Sequence, residues 1–368
     1  MFAIPKTMRA VVYRGADDLR VETVPVPAIG ADELLVKVAV CGVCPTDIKK
    51  IHYGTVPPPR IFGHETAGTV VQAGPKVSRL GFKLKVGDRV ALHHHVPCLK
   101  CHFCRHHAFA QCETYKRTGI TAGFEPAGGG FAEYVRVMRF VLPGVVKIPA
   151  KNTFEEGAML EPVNTVLKAV KRLNLLRGDR VLVAGQGPIG LMFTKILQLR
   201  GVHVLATDLL KSRLKLAKQF GAKEVMPVSD LKSQITNLKS QIDAAIIAVP
   251  SDDAVQQALQ LVRGAGQILL FAHTKRAEYG VRPPASGFYP LDLASICLDE
   301  KDLIGSYSAD FTIQDEVARL VFSRKLDVRP LLSHWFALEK TADAVALASK
   351  PTERSLKILV KPDFKNVR

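Results

Sequence analysis

The sequence lacks the features that place a protein in a membrane or outside the cell. Hydrophobic residues make up 47% of its 368 residues, yet no segment approaches about eighteen unbroken apolar residues, so no membrane-spanning helix is expected. Its start, MFAIPKTMRAVVYRG, has no charged segment followed by a long apolar stretch and does not resemble a signal peptide. We therefore expect a globular, cytoplasmic protein with no membrane partner, long enough for two domains.

Acidic residues are scarce beside basic ones, and aromatic residues are few. The chain has 51 Lys and Arg against 34 Asp and Glu, a formal net charge of +17, and 7% aromatic residues. The densest basic run, HFCRHHAFAQCETYKR, lacks the interleaved aromatic residues of a single-strand binder. Because basic residues are spread along the whole chain, the charge indicates a solvated surface that attracts anionic ligands, and no nucleic-acid partner is expected.

The cysteines do not follow the pattern of a disulfide-bonded protein. There are seven, an odd number, and the expected compartment is reducing, so their clustering suggests metal. Four form a C-x2-C-x2-C-x7-C pattern in one short loop, namely Cys98, Cys101, Cys104 and Cys112. Four thiolates can close a tetrahedral site with no open position, which predicts a structural zinc ion; free or oxidised thiols are the alternative. Three neighbouring histidines are expected to be surface residues rather than ligands, namely His102, His106 and His107.

Two kinds of secondary-structure pattern divide the chain. Up to about residue 150, short segments rich in β-branched residues and bounded by turn formers predict the strands of a small barrel or sandwich. These segments are RAVVYRG, ELLVKVAV, AGTVVQAG, DRVAL and AEYVRV. Beyond that point, RVLVAG, LKSRLKLAKQFGA and QILLFA belong to an alternation of strands and helices, which predicts a parallel sheet with crossover helices. A helix, TIQDEVARLVFSRK, and a last strand, RSLKILVKP, are expected near the end.

A glycine-rich turn lies between a strand and a helix of the second region. The G-x-G-x-x-G motif consists of Gly185, Gly187 and Gly190 and encloses Pro188 and Ile189. In this context it indicates a turn that binds the pyrophosphate of a dinucleotide, with a simple capping turn as the alternative. The next strand ends at Asp208, whose carboxylate can accept hydrogen bonds from an adenosine ribose and repels a 2′-phosphate, so NAD is favoured over NADP. Lys211 and Arg213 follow and keep some tolerance of NADP possible.

A second set of possible metal ligands is spread along the chain. The segment CGVCPTDIKK contains Cys41 and Cys44, which by themselves are compatible with half of a zinc knuckle, a redox pair or a single metal ligand. His64 and Glu65 follow in GHE, and Glu161 lies in GAMLEPV. One thiolate, one imidazole and one carboxylate would leave a fourth zinc position open for water or substrate, the arrangement of a catalytic site.

Together these motifs resemble the zinc-dependent medium-chain dehydrogenases, the superfamily of alcohol, sorbitol and threonine dehydrogenases. The resemblance covers essentially the whole chain through GVCPTD, GHETAGTVVQAG, VGDRVAL, the four-cysteine loop, EEGAMLEPV, VLVAGQGPIG and LEKTADAVALAS. It implies an α/β fold with a GroES-like, mostly β catalytic domain at residues 1–150 and 306–368. A Rossmann domain would occupy residues 151–305. The resemblance also implies two zinc ions per chain, NAD, an alcohol or polyol as substrate, and a homo-oligomer, either a dimer or a tetramer.

The resemblance also assigns the metal ligands. Cys44 would bind the catalytic zinc, and Cys41 would be an ordinary buried thiol, so the pair is neither a knuckle nor a redox pair. His64 would be the second ligand. The carboxylate would be Glu65 or Glu161, because the one that touches the metal varies within the sorbitol and threonine branch.

Proton transfer is implied at residues close to Cys44. Thr46 would accept the proton of the alcohol and pass it on through the cofactor ribose, and Asp47 would orient a metal ligand. Two departures from the family pattern stand out. Lys49 takes the place of a histidine that ends the proton relay in many relatives, and His52 lies near but is not aligned. The segment GSYS, residues 305–308, stands where sorbitol dehydrogenases often place an arginine, which disfavours sorbitol.

The predicted function is the reversible oxidation of a secondary alcohol by NAD, with a polyol, sugar alcohol or amino alcohol as substrate. One alternative is an NADP-preferring alcohol or aldehyde reductase of the same superfamily. Another, of a different class, is a basic protein that binds zinc and nucleotide without turnover. Specificity is expected to depend on loops around residues 46–60, 113–125 and 273–295, whose sequences do not indicate a particular substrate.

Overall fold

The computed structural model describes residues 4–93, 96–118, 128–238, 240–272 and 292–363. The chain forms two compact units, one of residues 1–164 with 308–368 and the other of residues 165–307. Within the described ranges, none of the helices combines the length and the hydropathy that a membrane crossing requires.

Sixteen strands and thirteen α-helices lie in the described residues. The strands are β1 (Thr7–Gly15), β2 (Asp18–Pro25), β3 (Leu34–Gly42), β4 (Arg60–Ile61), β5 (Glu65–Ala73), β6 (Arg89–Ala91), β7 (Tyr134–Val137), β8 (Val146–Lys147), β9 (Arg180–Ala184), β10 (His203–Asp208), β11 (Glu224–Pro227), β12 (Ile242–Ile247), β13 (Val262–Leu270), β14 (Asp302–Gly305), β15 (Leu332–Ala337) and β16 (Lys357–Lys361). The helices are α1 (Pro45–Tyr53), α2 (His102–Arg105), α3 (Glu113–Thr118), α4 (Phe154–Ala158), α5 (Leu160–Val170), α6 (Pro188–Leu199), α7 (Lys211–Gln219), α8 (Val228–Ser233), α9 (Ile235–Leu238), α10 (Asp252–Leu261), α11 (Leu293–Leu298), α12 (Gln314–Phe322) and α13 (Thr341–Ser349).

The first unit is built on two sheets. A small sheet has the strand order β2-β1-β4, and a seven-stranded sheet has the order β15-β16-β3-β5-β6-β8, with β7 also paired to β3. Strand β3, LLVKVAVCG, is buried at seven of its nine positions because it has neighbours on both edges. Valines with almost no exposure, such as Val36, Val70, Val90 and Val135, form a core on this sheet.

The second unit is a six-stranded sheet with the order β11-β10-β9-β12-β13-β14. All of its pairings are parallel, so consecutive strands require crossover connections, and helices such as α6 and α7 supply them. Strand β9 lies between β10 and β12, where the strand order reverses. In open α/β sheets, ligands bind beyond the carboxyl ends of the strands at such a reversal.

The predicted fold class is confirmed, since a mostly β unit and a parallel sheet with crossover helices are both present. Strand β13 begins at Val262, five residues before the predicted QILLFA, because it continues through an irregular register with β12. The compact units divide inside α5 and at residue 308. The domain limits expected from the sequence, at residues 150 and 306, stay a prediction.

Candidate metal centres and nucleotide-binding turn

The start of helix α1 places the first candidate ligand. Cys44 occupies the N-cap position with an extended backbone, and its sulfur accepts a hydrogen bond from the N–H of Thr46 at 3.4 Å. Pro45 follows at the first helical position, where its fixed φ suits a helix and its missing N–H is not needed. The capping contact fixes the direction of the sulfur, and the side chain of Thr46 is partly exposed beside it.

His64 and Glu65 join Cys44 from the start of strand β5. One ligand atom from each of the three residues lies within 4.8 Å of the others. His64 is 2% exposed and Glu65 is 1% exposed. A thiolate, an imidazole and a carboxylate are the ligand types of zinc, which binds them at about 2.0–2.3 Å, so the donor set fits this ion. Three protein ligands leave one position for water or substrate.

Asp47 orients the imidazole of this cluster. The Nδ1 atom of His64 lies 3.1 Å from Oδ1 of Asp47, and both side chains are buried. With Nδ1 facing Asp47, Nε2 is the nitrogen that would bind a metal. Burial by itself would lower the pKa of His64, but the charges of Asp47 and Cys44 outweigh burial and hold that pKa well above its ordinary value. This contact is the one that the orienting role predicted for Asp47 requires, and the role itself stays a prediction.

Lys357 is a member of this centre that sequence analysis missed. Its Nζ forms an ion pair with Oε2 of Glu65 and donates a hydrogen bond to the backbone oxygen of Val43 at 2.9 Å. Burial would lower the pKa of Lys357, but Glu65 and Cys44 raise it above its ordinary value. The sequence feature that could have indicated this role is a lysine inside the apolar segment RSLKILVKP. This segment forms β16, which pairs with β3.

Glu161 lies in the first turn of α5 and is 4% exposed. Burial raises its pKa to about 7; the charge of His64 lowers it, and that of Glu65 raises it. The set whose ligand atoms lie within 4.8 Å of one another does not include Glu161. Of the two carboxylates considered, Glu65 is therefore the one grouped with Cys44 and His64, and Glu161 lies within electrostatic range of His64 and Glu65.

Two lysines follow Cys44 on α1. Burial lowers the pKa of Lys49 and of Lys50, and the charge of Cys44 acts on both in the opposite direction. The helix therefore brings two partly buried ammonium groups within electrostatic range of a candidate metal ligand. His52 lies instead against Asp17, with 3.0 Å between Nδ1 and Oδ2, and both side chains are exposed.

The surroundings of Cys41 differ from those of Cys44. Its side chain is fully buried, and the hydroxyl of Thr66 donates to its sulfur at 3.4 Å. Burial raises the pKa of Cys41 to about 12. A thiol that does not ionise near neutral pH is neither a good nucleophile nor a good metal ligand, so this residue is structural.

The four remaining clustered cysteines converge as a second centre. Their ligand atoms all lie within 4.8 Å of one another, in Cys98, Cys101, Cys104 and Cys112. The sulfur of Cys104 lies 3.4 Å from that of Cys101 and 3.9 Å from that of Cys98. These separations are near the edge of about 3.8 Å that four sulfurs at 2.3 Å from zinc would form. Backbone hydrogen bonds lower the pKa of Cys98 to about 6, whereas burial raises that of Cys104 to about 12. The set fits a closed zinc site.

The glycine motif has the geometry of a phosphate-binding turn. Gly185 has a φ of 92°, which favours glycine, and a Cβ on Gly190 would collide with the carbonyl oxygen of Gly185. Gly187 is the N-cap of α6, and a Cβ there would meet only Arg213 Nη1, at 3.9 Å. The first turn of the helix contains Pro188 and Ile189. Backbone N–H groups at this end of α6 can therefore be approached by an anion.

Asp208 lies at the carboxyl end of β10, next to this turn. Its Oδ2 accepts a hydrogen bond from the N–H of Gln186 at 2.6 Å, and its Oδ1 accepts one from the N–H of Leu210 at 2.8 Å. The side chain is 6% exposed, and Arg213 Nη1 lies 3.9 Å from Oδ2. The carboxylate is thus held in one orientation, with a guanidinium close to both the acid and the glycine turn. Lys211 begins α7.

The segment expected to replace a substrate-binding arginine is partly exposed. The side chain of Tyr307 is 43% exposed, and the hydroxyl of Ser308 lies 3.3 Å from that of Tyr115. Ser306 is buried. Of the loops predicted to set specificity, residues 119–125 and 273–291 lie outside the described residues.

Two family models match the chain. The alcohol dehydrogenase GroES-like domain matches residues 30–150, and the zinc-binding dehydrogenase matches residues 188–323. Both candidate metal clusters fall within the first match, and the second match begins at the helix after the glycine turn.

Individual relatives resemble the chain over nearly its whole length. A sorbitol dehydrogenase of Bombyx mori is 30% identical, with 95% of this chain and 97% of the relative covered. A D-arabinitol dehydrogenase of Uromyces fabae is 29% identical, with 98% of this chain and 99% of the relative covered. A solved structure from Sinorhizobium meliloti 1021, described as a zinc-binding dehydrogenase bound to NADP, has a TM-score of 0.82 and 26% identity, with 97% and 100% covered.

Proposed function

This chain belongs to the zinc-dependent medium-chain dehydrogenases, and from that premise we propose that it oxidises a secondary alcohol or polyol reversibly with NAD as its preferred hydride acceptor. The observation that carries the proposal is the grouping of Cys44, His64 and Glu65 within 4.8 Å, an open three-ligand set in a dehydrogenase fold. Its relatives include a sorbitol and an arabinitol dehydrogenase, so the reaction class is oxidoreduction of alcohols or polyols.

Each residue of the open centre has a proposed role. Cys44, His64 and Glu65 would hold a zinc ion, and Asp47 engages Nδ1 of His64, so that Nε2 would be the nitrogen that binds the ion. When bound, zinc would supply Lewis acidity, which lowers the pKa of an alcohol hydroxyl. Thr46, partly exposed beside Cys44, is the proposed acceptor of the hydroxyl proton.

Turnover with a panel of alcohols tests the proposal. Polyols, amino alcohols and sugar phosphates would be compared by the rise in absorbance of the reduced cofactor at about 340 nm, the wavelength at which reduced nicotinamide absorbs. Because Lys49 and Lys50 place positive charge near Cys44, we expect neutral and anionic alcohols to be better substrates than amino alcohols. Reduced-cofactor binding without turnover of any panel member would favour the alternative of a zinc- and nucleotide-binding protein that is not an enzyme.

Replacing a ligand of the open centre separates chemistry from cofactor binding. We expect Cys44→Ser or His64→Ala to abolish turnover and to leave the affinity for NADH, measured by fluorescence, nearly unchanged. The physical reason is that both ligands lie in the first compact unit, whereas the glycine turn lies in the second. Cys297→Ser, an exposed position outside both cysteine clusters, is the control. A comparable loss of NADH affinity in the ligand variants would contradict this division of roles.

The preference for NAD rests on the charge at Asp208. A 2′-phosphate beside this carboxylate would be repelled by its negative charge. A repulsion of about 2 kcal/mol would weaken the binding of NADP roughly thirty-fold. Arg213, 3.9 Å from the carboxylate, offsets part of that repulsion. We therefore propose a clear but incomplete preference for NAD over NADP.

Two substitutions at this position test the preference through kcat/KM with both cofactors. Asp208→Ser should shift the preference towards NADP because it removes the negative charge and leaves Arg213. Asp208→Asn is the matched variant, since the amide oxygen can still accept the N–H of Gln186 or Leu210 while the charge is gone. Wild-type preference for NADP, or no shift in either variant, would show that the carboxylate does not face the ribose.

Three further expectations are part of the proposal. The closed four-cysteine cluster holds a second, structural zinc ion, so that each chain retains two tightly bound ions. The protein is a homo-oligomer, a dimer or a tetramer, which light scattering measures. It is located in the cytoplasm, which cell fractionation tests.

A further inference from the structure

Two exposed histidines stand side by side next to the four-cysteine cluster. His102 and His106 lie on a single helical turn, closed by a hydrogen bond from the N–H of His106 to the carbonyl oxygen of His102 at 3.3 Å. Their ring centroids are 4.5 Å apart, with 56° between the ring planes. Both side chains are exposed. The i, i+4 spacing thus brings two imidazoles together on one face.

Two imidazole rings placed in this way can chelate one metal ion. Neutral imidazole is the commonest protein ligand of transition metals, and it suits zinc, copper and nickel. Two histidines at i and i+4 on one helix face form the same pairing that the H-E-x-x-H motif uses to bind zinc. Among the described residues, neither ring forms a hydrogen bond, so their nitrogens are available to an ion.

The turn that carries the pair is held in place by cysteines of the closed cluster. Cys101 is the N-cap of α2, and Cys104 lies within the helix and is buried. At 3.6 residues per turn, Cys104 lies roughly 160–200° around the helix from the two histidines, so the thiol faces inwards and the imidazoles face solvent. The pair is therefore preorganised by the cluster and is separate from it.

We propose that His102 and His106 form an accessory transition-metal site, distinct from both cysteine-containing centres. It supplies two nitrogen ligands, water completes the coordination, and the ion exchanges freely because the site is open and exposed. The ligand class is a divalent ion that favours imidazole, with Cu²⁺ held more tightly than Ni²⁺ or Zn²⁺.

His107 provides a matched control in the same loop. It follows the pair directly, but its backbone leaves the helix with a φ of 55°. Its ring packs edge-on against Phe109, with centroids 5.7 Å apart. His107 is exposed and adds an imidazole to the loop without belonging to the pair. Loss of this ring should leave the accessory site intact.

The test is a calorimetric titration of the full-length protein, dialysed so that only its tightly bound zinc remains, with Cu²⁺ and with Ni²⁺. We expect one additional, reversible site per chain, weaker than the tightly bound ions. Removing either ligand with His102→Ala or His106→Ala should weaken it by about tenfold or more, since even the loss of an outer partner weakens metal sites on that scale. His107→Ala should bind like the wild type. The electron paramagnetic resonance spectrum of bound Cu²⁺ should show two nitrogen ligands in the wild type and fewer in either pair variant.

Bound zinc and the circular dichroism spectrum of each variant would be measured first. Any alanine variant that loses zinc or structure would be replaced by His106→Gln or His102→Gln, which keep a polar side chain of moderate size. Absence of an additional site in the wild type would overturn the proposal. Equal weakening by His107→Ala and His106→Ala would overturn it too, because the affinity would then come from any histidine in a basic loop.

Discussion

At the scale of single residues, the open centre contains a buried ion pair between Lys357 and Glu65. Glu65 is 1% exposed and Lys357 is 5% exposed, so each charge depends on the other for compensation. Removing one partner of a buried pair leaves an uncompensated charge and is strongly destabilising. A metal bound by Glu65 would provide a second source of positive charge at the same carboxylate.

This arrangement predicts a stability change that depends on metal. We expect Lys357→Met to lower the free energy of unfolding by about 3–5 kcal/mol in protein stripped of metal, and by less in metal-loaded protein. Urea unfolding of both forms measures the difference. The control is Lys361→Met on the same strand, whose pair with Glu155 is partly exposed and should cost under about 1 kcal/mol. Equal losses for the two lysine variants in stripped protein would contradict the assignment.

At the scale of elements, Glu33 ties the turn before β3 to strand β7. Its two carboxylate oxygens accept hydrogen bonds from Nη2 and Nε of Arg136 at 2.6 and 2.7 Å, and the N–H of Gly30 donates to Oε2 at 2.6 Å. Burial would raise the pKa of Glu33, but Arg136 and the Gly30 N–H outweigh it and hold the pKa below its ordinary value of 4.5. The ionised carboxylate therefore stabilises the pairing of β3 and β7.

The lowered pKa of Glu33 determines how its contribution to the free energy of unfolding changes with pH. Stabilisation by Glu33 is fully present above the unfolded-state pKa and is lost as the pH falls through the lowered pKa of the folded state. We expect Glu33→Gln to cost about 1–3 kcal/mol at pH 7 and to become indistinguishable from wild type in strong acid. Denaturant unfolding at a series of pH values, from neutral down into strong acid, measures this. The adjacent Asp32→Asn, whose partner Arg139 is exposed and 3.4 Å away, should have a far smaller effect.

At the scale of the whole molecule, the two cysteine-containing centres are built in different ways. The closed cluster takes all four sulfurs from one loop, Cys98 to Cys112, and few apolar residues surround it. The open centre takes its ligands from a helix start and a strand start. With zinc bound, a loop of the first kind would depend on the metal for its fold, because structural zinc contributes directly to folding.

Metal analysis combined with one substitution tests this difference. We expect two tightly bound zinc ions in the wild type, and one in Cys101→Ser, with lower stability and solubility for the variant. Cys297→Ser, exposed and outside both clusters, should keep both ions. A wild-type content of one ion or none in carefully prepared protein would show that the two-centre interpretation is wrong.

Much of this protein was readable from local spacing alone. The individual strands and helices, the glycine turn at Gly185 and the four-cysteine loop depend on residues a few positions apart, and such patterns are visible in the sequence itself. The predicted strands RAVVYRG and ELLVKVAV lie within two residues of the bounds of β1 and β3 for the same reason. The strand and helix patterns predicted the two kinds of sheet, and the family resemblance supplied the GroES-like and Rossmann assignments.

Only the tertiary structure decided which distant side chains meet. It grouped Glu65 rather than Glu161 with Cys44 and His64, placed Asp47 3.1 Å from the imidazole, and brought Lys357 to Glu65 from the far end of the chain. It also put His102 and His106 in contact, where the sequence indicated only surface histidines. The physical reason is that spacing along the chain specifies helix and turn geometry, whereas contacts between elements depend on strand pairing and burial, which the whole core determines together.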